Sequence, residues 1–164
     1  MTRVDSQTLA ALDALQLRYI DALDSQDMPG WLTTFSAQAD ASYLCTTAES
    51  FKAKLDVALI LDDCRARLED RVTFVDKIWS GTYQHYQTRH MVQRVRCTPL
   101  APSRYEVKTN VIICFSSEDG GTAELLSTGV YLDQVAIEGE DAHFVSKQVI
   151  TDTSVLPHYI VYPL

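Results

Sequence analysis

The sequence predicts an α+β domain, with three amino-terminal helices packed on one side of a long, curled, mostly antiparallel sheet. Three observations carry that expectation. Segments with strand character at residues 89–98, 105–115, 122–135 and 142–151 follow one another with only short turns between them, which is the pattern of a meander. The second segment alternates, with Tyr105, Val107, Thr109, Val111, Ile113 and Phe115 on one parity and Glu106, Lys108 and Asn110 on the other, so one of its faces is buried. Ahead of the strands, apolar residues recur at three- and four-residue steps, the spacing of helices. Strands of this length twist and curl, and the resulting concave face is what the helices are placed to cover.

Asp5 or Ser6 caps a first helix whose stripe is Leu9, Leu12, Leu15, Tyr19 and Leu23, ending near Ser25. A short second helix follows, with Pro29 in its first turn and Trp31, Leu32 and Phe35 on its buried side. Residues 41–46 read as a brief strand with Tyr43 and Cys45 on one parity, then comes a polar passage through Glu49 and Lys54 that is helical or irregular. Residues 57–61 form an apolar run of strand length, stopped by Asp62 and Asp63, which cap a third helix carrying Cys64, Leu68, Val72 and Val75 as far as Lys77. Arg65 and Glu69 make an i,i+4 pair on its outer side. Three turns join the long strands: residues 99–103 with two prolines, then 118–121 and 138–141, where Gly120, Gly121 and Gly139 supply positive φ. Ile112 and Cys114 fill the second face of the alternating strand, so something must cover its far end. This order of elements is that of the cone-shaped α+β barrel of the nuclear-transport-factor type.

With 164 residues, 46% of them hydrophobic, the chain has the size of one domain, residues 1–164, with a sizeable core. A formal charge of -8 argues against a nucleic-acid partner, because binding phosphates would work against net repulsion. No apolar run approaches a membrane span, and the polar start Met1-Thr2-Arg3-Val4-Asp5-Ser6 is unlike a secretory leader, so the expected location is cytoplasmic. The four cysteines, Cys45, Cys64, Cys97 and Cys114, are too scattered for a disulfide framework or a zinc site and read as free, mostly buried thiols. No Gly-rich phosphate loop and no G-x-S-x-G elbow occurs.

Two chemical readings remain. His85 and His90 have a spacing that invites an iron triad, but a five-residue step on a strand sends the rings to opposite faces, and they converge only if His85 sits in the loop before the strand. A cone lined by Tyr19, Tyr43, Tyr83 and His90 with a carboxylate such as Asp21 or Asp40 could shift a pKa and do acid–base work. That describes a free-standing isomerase or dehydratase acting through Tyr19, Tyr83 and His90, or a small-ligand binding module without turnover. The competing view is that these tyrosines are core residues.

Several short motifs occur together and in order: Val57-Ala58-Leu59-Ile60, Leu68-Glu69-Asp70-Arg71-Val72, Thr88-Arg89-His90-Met91-Val92, Tyr131-Leu132-Asp133, Val149-Ile150-Thr151-Asp152-Thr153 and Tyr162-Pro163-Leu164. As a set they resemble the small (beta) subunit of aromatic-ring-hydroxylating dioxygenases. The resemblance implies a non-catalytic structural subunit with no cofactor of its own. It also implies a large alpha subunit that carries a Rieske 2Fe-2S cluster and a mononuclear iron, assembled with this chain as an α3β3 hexamer. Arg71, Arg89 and His90 fall on recurring motifs of that family, which implies roles in folding or subunit contact, with Asp70 and Asp152 as candidate acceptors for the arginines. The apolar tail, residues 155–164, is expected to lie open to partner subunits and other copies of the chain.

Overall fold

The structure, a computed structural model, describes residues 4–164; residues 1–3, which belong to the polar start noted above, lie outside the described residues. Helix α1 (Ser6–Asp24) is capped by Asp5, whose side chain accepts from Thr8 N at 2.8 Å, and its buried face is Leu12, Leu15, Tyr19 and Leu23 as the spacing predicts. Helix α2 (Met28–Thr33) is capped by Asp27 and buries Met28 and Trp31. Phe35 lies just beyond it and bridges to Phe144. Strand β1 (Ser42–Thr47) leads into a further short helix, α3 (Ala48–Ala53), so the polar passage is helical and the helices number more than three.

The apolar run at 57–61 is mostly not strand. Only β2 (Ile60–Asp62) pairs, and Asp62 is a buried strand residue rather than a cap. Helix α4 (Arg65–Thr73) starts after Cys64 and continues through a π-helical turn, Phe74–Ile78, close to the expected end. Arg65 meets Glu69 at 3.0 Å and also reaches the carbonyls of Leu32 and Ser36, tying α4 to the end of α2.

The long strands are β3 (Tyr86–Ala101), β4 (Arg104–Ser117), β5 (Glu124–Glu138) and β6 (Asp141–Thr151). They form one sheet in the order β2-β1-β6-β5-β4-β3. Neighbours are antiparallel except β1 and β6, which run parallel from Ser42↔Ser146 to Thr47↔Thr151. Strand β3 runs on through Pro99, which is tolerated because β3 is an edge and its outer N–H positions need no ladder partner. Register shifts at Arg94/Arg96, Ile113/Cys114 and Gln134/Val135 bend the sheet into a cone. Gly129 marks a close approach of backbone to backbone: a Cβ there would stand 2.2 Å from the Ile150 carbonyl oxygen.

The segment after β6 departs from expectation. Residues 152–164 carry no regular structure, yet Val161, Tyr162 and Leu164 are buried in the main core. Val155 and Tyr159 are the exposed large hydrophobic residues of this segment, so the end of the apolar tail, residues 161–164, serves this chain's own core, while residues 155–160 are exposed or half-buried. The cysteines are free, but only Cys45 is buried; Cys64, Cys97 and Cys114 are half-buried.

Candidate functional site

The inner face of the cone is built by α1 from one side and by β5 and β6 from the other. Alternation along β5 places Tyr131, Asp133 and Val135 inward, and β6 adds Phe144, Lys147 and Val149. Asp133 and Lys147 are register partners on the two strands, and their side chains, each wholly excluded from solvent, meet at 3.0 Å. Lys147 Nζ also donates to Gln16 Oε1 at 3.3 Å and lies 4.2, 3.9 and 4.2 Å from the ring centres of Tyr19, Tyr131 and Phe144. Three ring faces, a carboxylate and an amide oxygen thus replace the water that the ammonium lost. Burial nevertheless pushes the Asp133 carboxyl up to about 6 against the attraction of Lys147, and pushes Lys147 down to about 8 against that of Asp133.

Above this pair the tyrosine hydroxyls hold main chain. Tyr19 Oη donates to the Leu164 oxygen at 2.7 Å, and Tyr43 Oη accepts from Leu164 N at 2.9 Å. Tyr86 Oη accepts from Val161 N at 2.8 Å. Burial raises Tyr19 and Tyr43 well above the ordinary tyrosine range, so both stay protonated. Hydroxyls locked in this way onto the chain's own backbone are not free to take a substrate proton.

His90 stands apart from them. Asp24, at the end of α1, accepts from Thr88 Oγ1 at 2.9 Å, from His90 N at 3.0 Å and lies 2.6 Å from His90 Nδ1. Burial raises the Asp24 carboxyl, but the hydrogen bonds from His90 and Thr88 outweigh it and the net shift is downward. The His90 side chain is 1% exposed, and its Nε2 is buried without a partner. Tyr83, the third residue of the acid–base reading, is bonded to Tyr162 Oη at 2.9 Å. Tyr19, Tyr83 and His90 are therefore held by three different partners, and the structure records no hydrogen bond among them.

Arg71 takes Asp62, not Asp70, as its acceptor, through Nε at 3.0 Å and Nη2 at 2.9 Å, with Trp79 stacked 6.0 Å from the guanidinium. Arg89 is exposed on the face of β3 away from the core. Asp152 accepts from Thr128 Oγ1 at 2.7 Å and does not pair with an arginine. Asp21 and Asp40 are not part of the interior cluster. His85 packs on Tyr83 just ahead of β3, and among the described residues no three His, Cys, Asp or Glu side chains are grouped as a metal site. Sequence reasoning missed Lys147 and, as a partner for it, Asp133. Their signal was a charge on the inward parity of each of two neighbouring strands.

A family model described as "Ring hydroxylating beta subunit" matches residues 18–158. No curated protein matches the chain. Among solved structures, a protein provisionally named the beta subunit of an aromatic-ring-hydroxylating dioxygenase from Novosphingobium aromaticivorans is 23% identical, with 88% of each chain covered and a TM-score of 0.77. The beta subunit of benzoate 1,2-dioxygenase from Burkholderia mallei is 23% identical over 93% of each chain, with a TM-score of 0.72. A protein of unknown function with a cystatin-like fold from Nostoc punctiforme is 14% identical, covering 95% of this chain and 98% of that one, at a TM-score of 0.63. These likenesses show the cone fold that the order of elements predicts.

Proposed function

We propose, from the premise that this chain belongs to the family of ring-hydroxylating beta subunits, that it is the structural subunit of an aromatic-ring-hydroxylating dioxygenase and leaves oxidation to a large alpha subunit. The family match across residues 18–158 is the observation that carries this reading. The interior supports it: the Tyr19, Tyr43 and Tyr86 hydroxyls are bonded to the chain's own backbone and Lys147 is bonded to Asp133 and Gln16, contacts that hold the fold together. The partner supplies the Rieske 2Fe-2S cluster and the mononuclear iron that activate oxygen.

In this reading the single domain 1–164 assembles with that subunit, and with other copies of itself, as an α3β3 hexamer in the cytoplasm. The substrate is an aromatic acid or hydrocarbon. Closed threefold symmetry buries repeated patches without leaving an edge that polymerises. Arg71 and His90 hold the subunit's own fold, through Asp62 and Asp24. Arg89 and Asp152, both exposed, are the residues we assign to subunit contact. Arg89 is the cross-strand neighbour of Cys114 and lies beside the exposed pair Met91 and Ile112.

Co-expression with a Rieske-bearing large subunit, followed by sizing and native mass measurement, tests the proposal. A complex containing equal numbers of both chains is expected. A chain that stays monomeric beside a folded large subunit defeats it. The chain purified alone is expected to hold no stoichiometric iron or zinc by elemental analysis, since no ligand group is assembled among its described residues.

A further inference from the structure

We propose that the cleft between α1 and strands β3 and β4 is a binding site for a small, uncharged, apolar molecule bearing one hydrogen-bond-accepting oxygen, such as a ketone. The cleft has a volume of about 330 Å³, within the range of small-molecule sites. Leu12 of α1, Val92 of β3 and Val107 of β4 give it apolar walls. Gln16 also lines it, and the amide is only half satisfied: Oε1 accepts from Lys147 Nζ at 3.3 Å, while the buried Nε2 has no partner. A buried N–H without an acceptor is a standing cost that a ligand oxygen would remove. Lys147 sharpens the selection, because the ammonium draws electron density through Oε1 and makes Nε2–H the stronger donor.

Charge narrows the ligand further. Arg94 and Asp13 line the same cleft, but Arg94 Nε and Nη2 already meet the two Asp13 oxygens at 2.7 and 3.0 Å. Lys147 is likewise neutralised by Asp133. No unpaired cation therefore waits for a carboxylate, and an anion entering this cleft would lose its water without gaining a counter-charge. Three further surface clefts, lined in turn by Asp21 and Asp24, by Arg67 and Trp79, and by His85 and Glu118, offer no buried, unpartnered side-chain donor. The combination of apolar walls and an orphaned amide belongs to the α1 cleft. This inference does not depend on assembly with a large subunit.

The test is an NMR titration of the 15N-labelled, 164-residue chain with acetophenone, set against ethylbenzene, which has a similar shape and no acceptor. Acetophenone should produce saturable shifts of the Gln16 side-chain amide and of the Val92 and Val107 backbone amides. Ethylbenzene should bind about five-fold more weakly, the worth of one ordinary hydrogen bond. Gln16→Met, which keeps the volume, should abolish that preference, and Val92→Phe should fill the cleft and block both ligands. No saturable shift at millimolar ligand, equal affinity for the two probes, or undiminished binding to Val92→Phe would each overturn the proposal. The Val92→Phe arm decides on its own if Gln16→Met does not fold.

Discussion

Asp24 holds three donors with one carboxylate, so its loss is felt at Thr88 and twice at His90. Replacing it with Ala is expected to destabilise the chain by about 1–3 kcal/mol, because buried donors are left without an acceptor, as read from urea unfolding. Its folded pKa is depressed, so its contribution is present above the unfolded carboxyl value near 3.8 and is lost as pH falls through the lower folded value. The buried pair behaves in the opposite sense. Asp133 is raised to about 6, so its own contribution is full below 3.8 and shrinks as pH climbs through 6. Asp133→Ala alone is expected to cost about 3–5 kcal/mol by stranding Lys147, whereas Asp133→Leu with Lys147→Met should cost far less. Acidifying from pH 7 to about 5 should shift the unfolding midpoint in favour of the wild type over the double variant; an unchanged difference would count against a strained pair. The residues of this site were legible singly but not in their pairings. Tyr19 and His90 could be read as inward-facing, yet the Asp24 to His90 contact spans 66 positions and exists only once α1 lies on the sheet. Asp62, itself buried, read as a helix cap because its partner, Arg71, is supplied by a helix whose angle no local pattern encodes.

The long strands and α1 are the elements that sequence periodicity described best, since alternation and the three-to-four step persist over many residues in each. Short elements were less legible. Residues 57–61 looked like a strand because they are continuously apolar, but Val57, Leu59 and Leu61 are exposed and only Ile60 turns inward. The tail was misread for a related reason: without periodicity, apolar content alone does not tell a partner's cover from a plug for the chain's own core. Its burial leads to a prediction opposite to the one its composition invites. Removing residues 161–164 strips the Tyr19, Tyr43 and Tyr86 hydroxyls of their backbone partners and uncovers core residues. The isolated subunit should then melt at a clearly lower temperature in a calorimetric scan, before any question of assembly arises. Tyr86→Phe, which keeps the ring and loses two acceptances, should cost about 1–2 kcal/mol. A truncated chain with an unchanged melting temperature would show that the plug contributes nothing.

At the scale of the whole molecule, the face of β3 and β4 turned away from α1 is open to solvent around Met91 and Ile112. Met91 and Ile112 are cross-strand partners there, 53% and 44% exposed, and Leu125 lies near Cys114 on the next strand. Apolar side chains clustered on an open sheet mark an interaction surface, which is the cover that alternation in the sequence called for. Met91→Glu combined with Ile112→Lys should leave the monomer's unfolding within about 0.5 kcal/mol of wild type, as exposed positions do, while weakening recovery of the complex in a co-purification assay. Recovery equal to wild type would move the contact elsewhere. The parallel pairing of β1 with β6 has a different kind of consequence, one of timing. Its two strands are on the order of a hundred residues apart in sequence, and at about 5–20 residues per second of synthesis β1 waits roughly 5–20 s for its partner to emerge. Throughout that interval the edge of β1 that β6 will pair with stays open, although β2 can already close its other edge. The sheet therefore closes only near the end of synthesis, and in the test tube the chain should fold slowly, as chains dominated by distant contacts do.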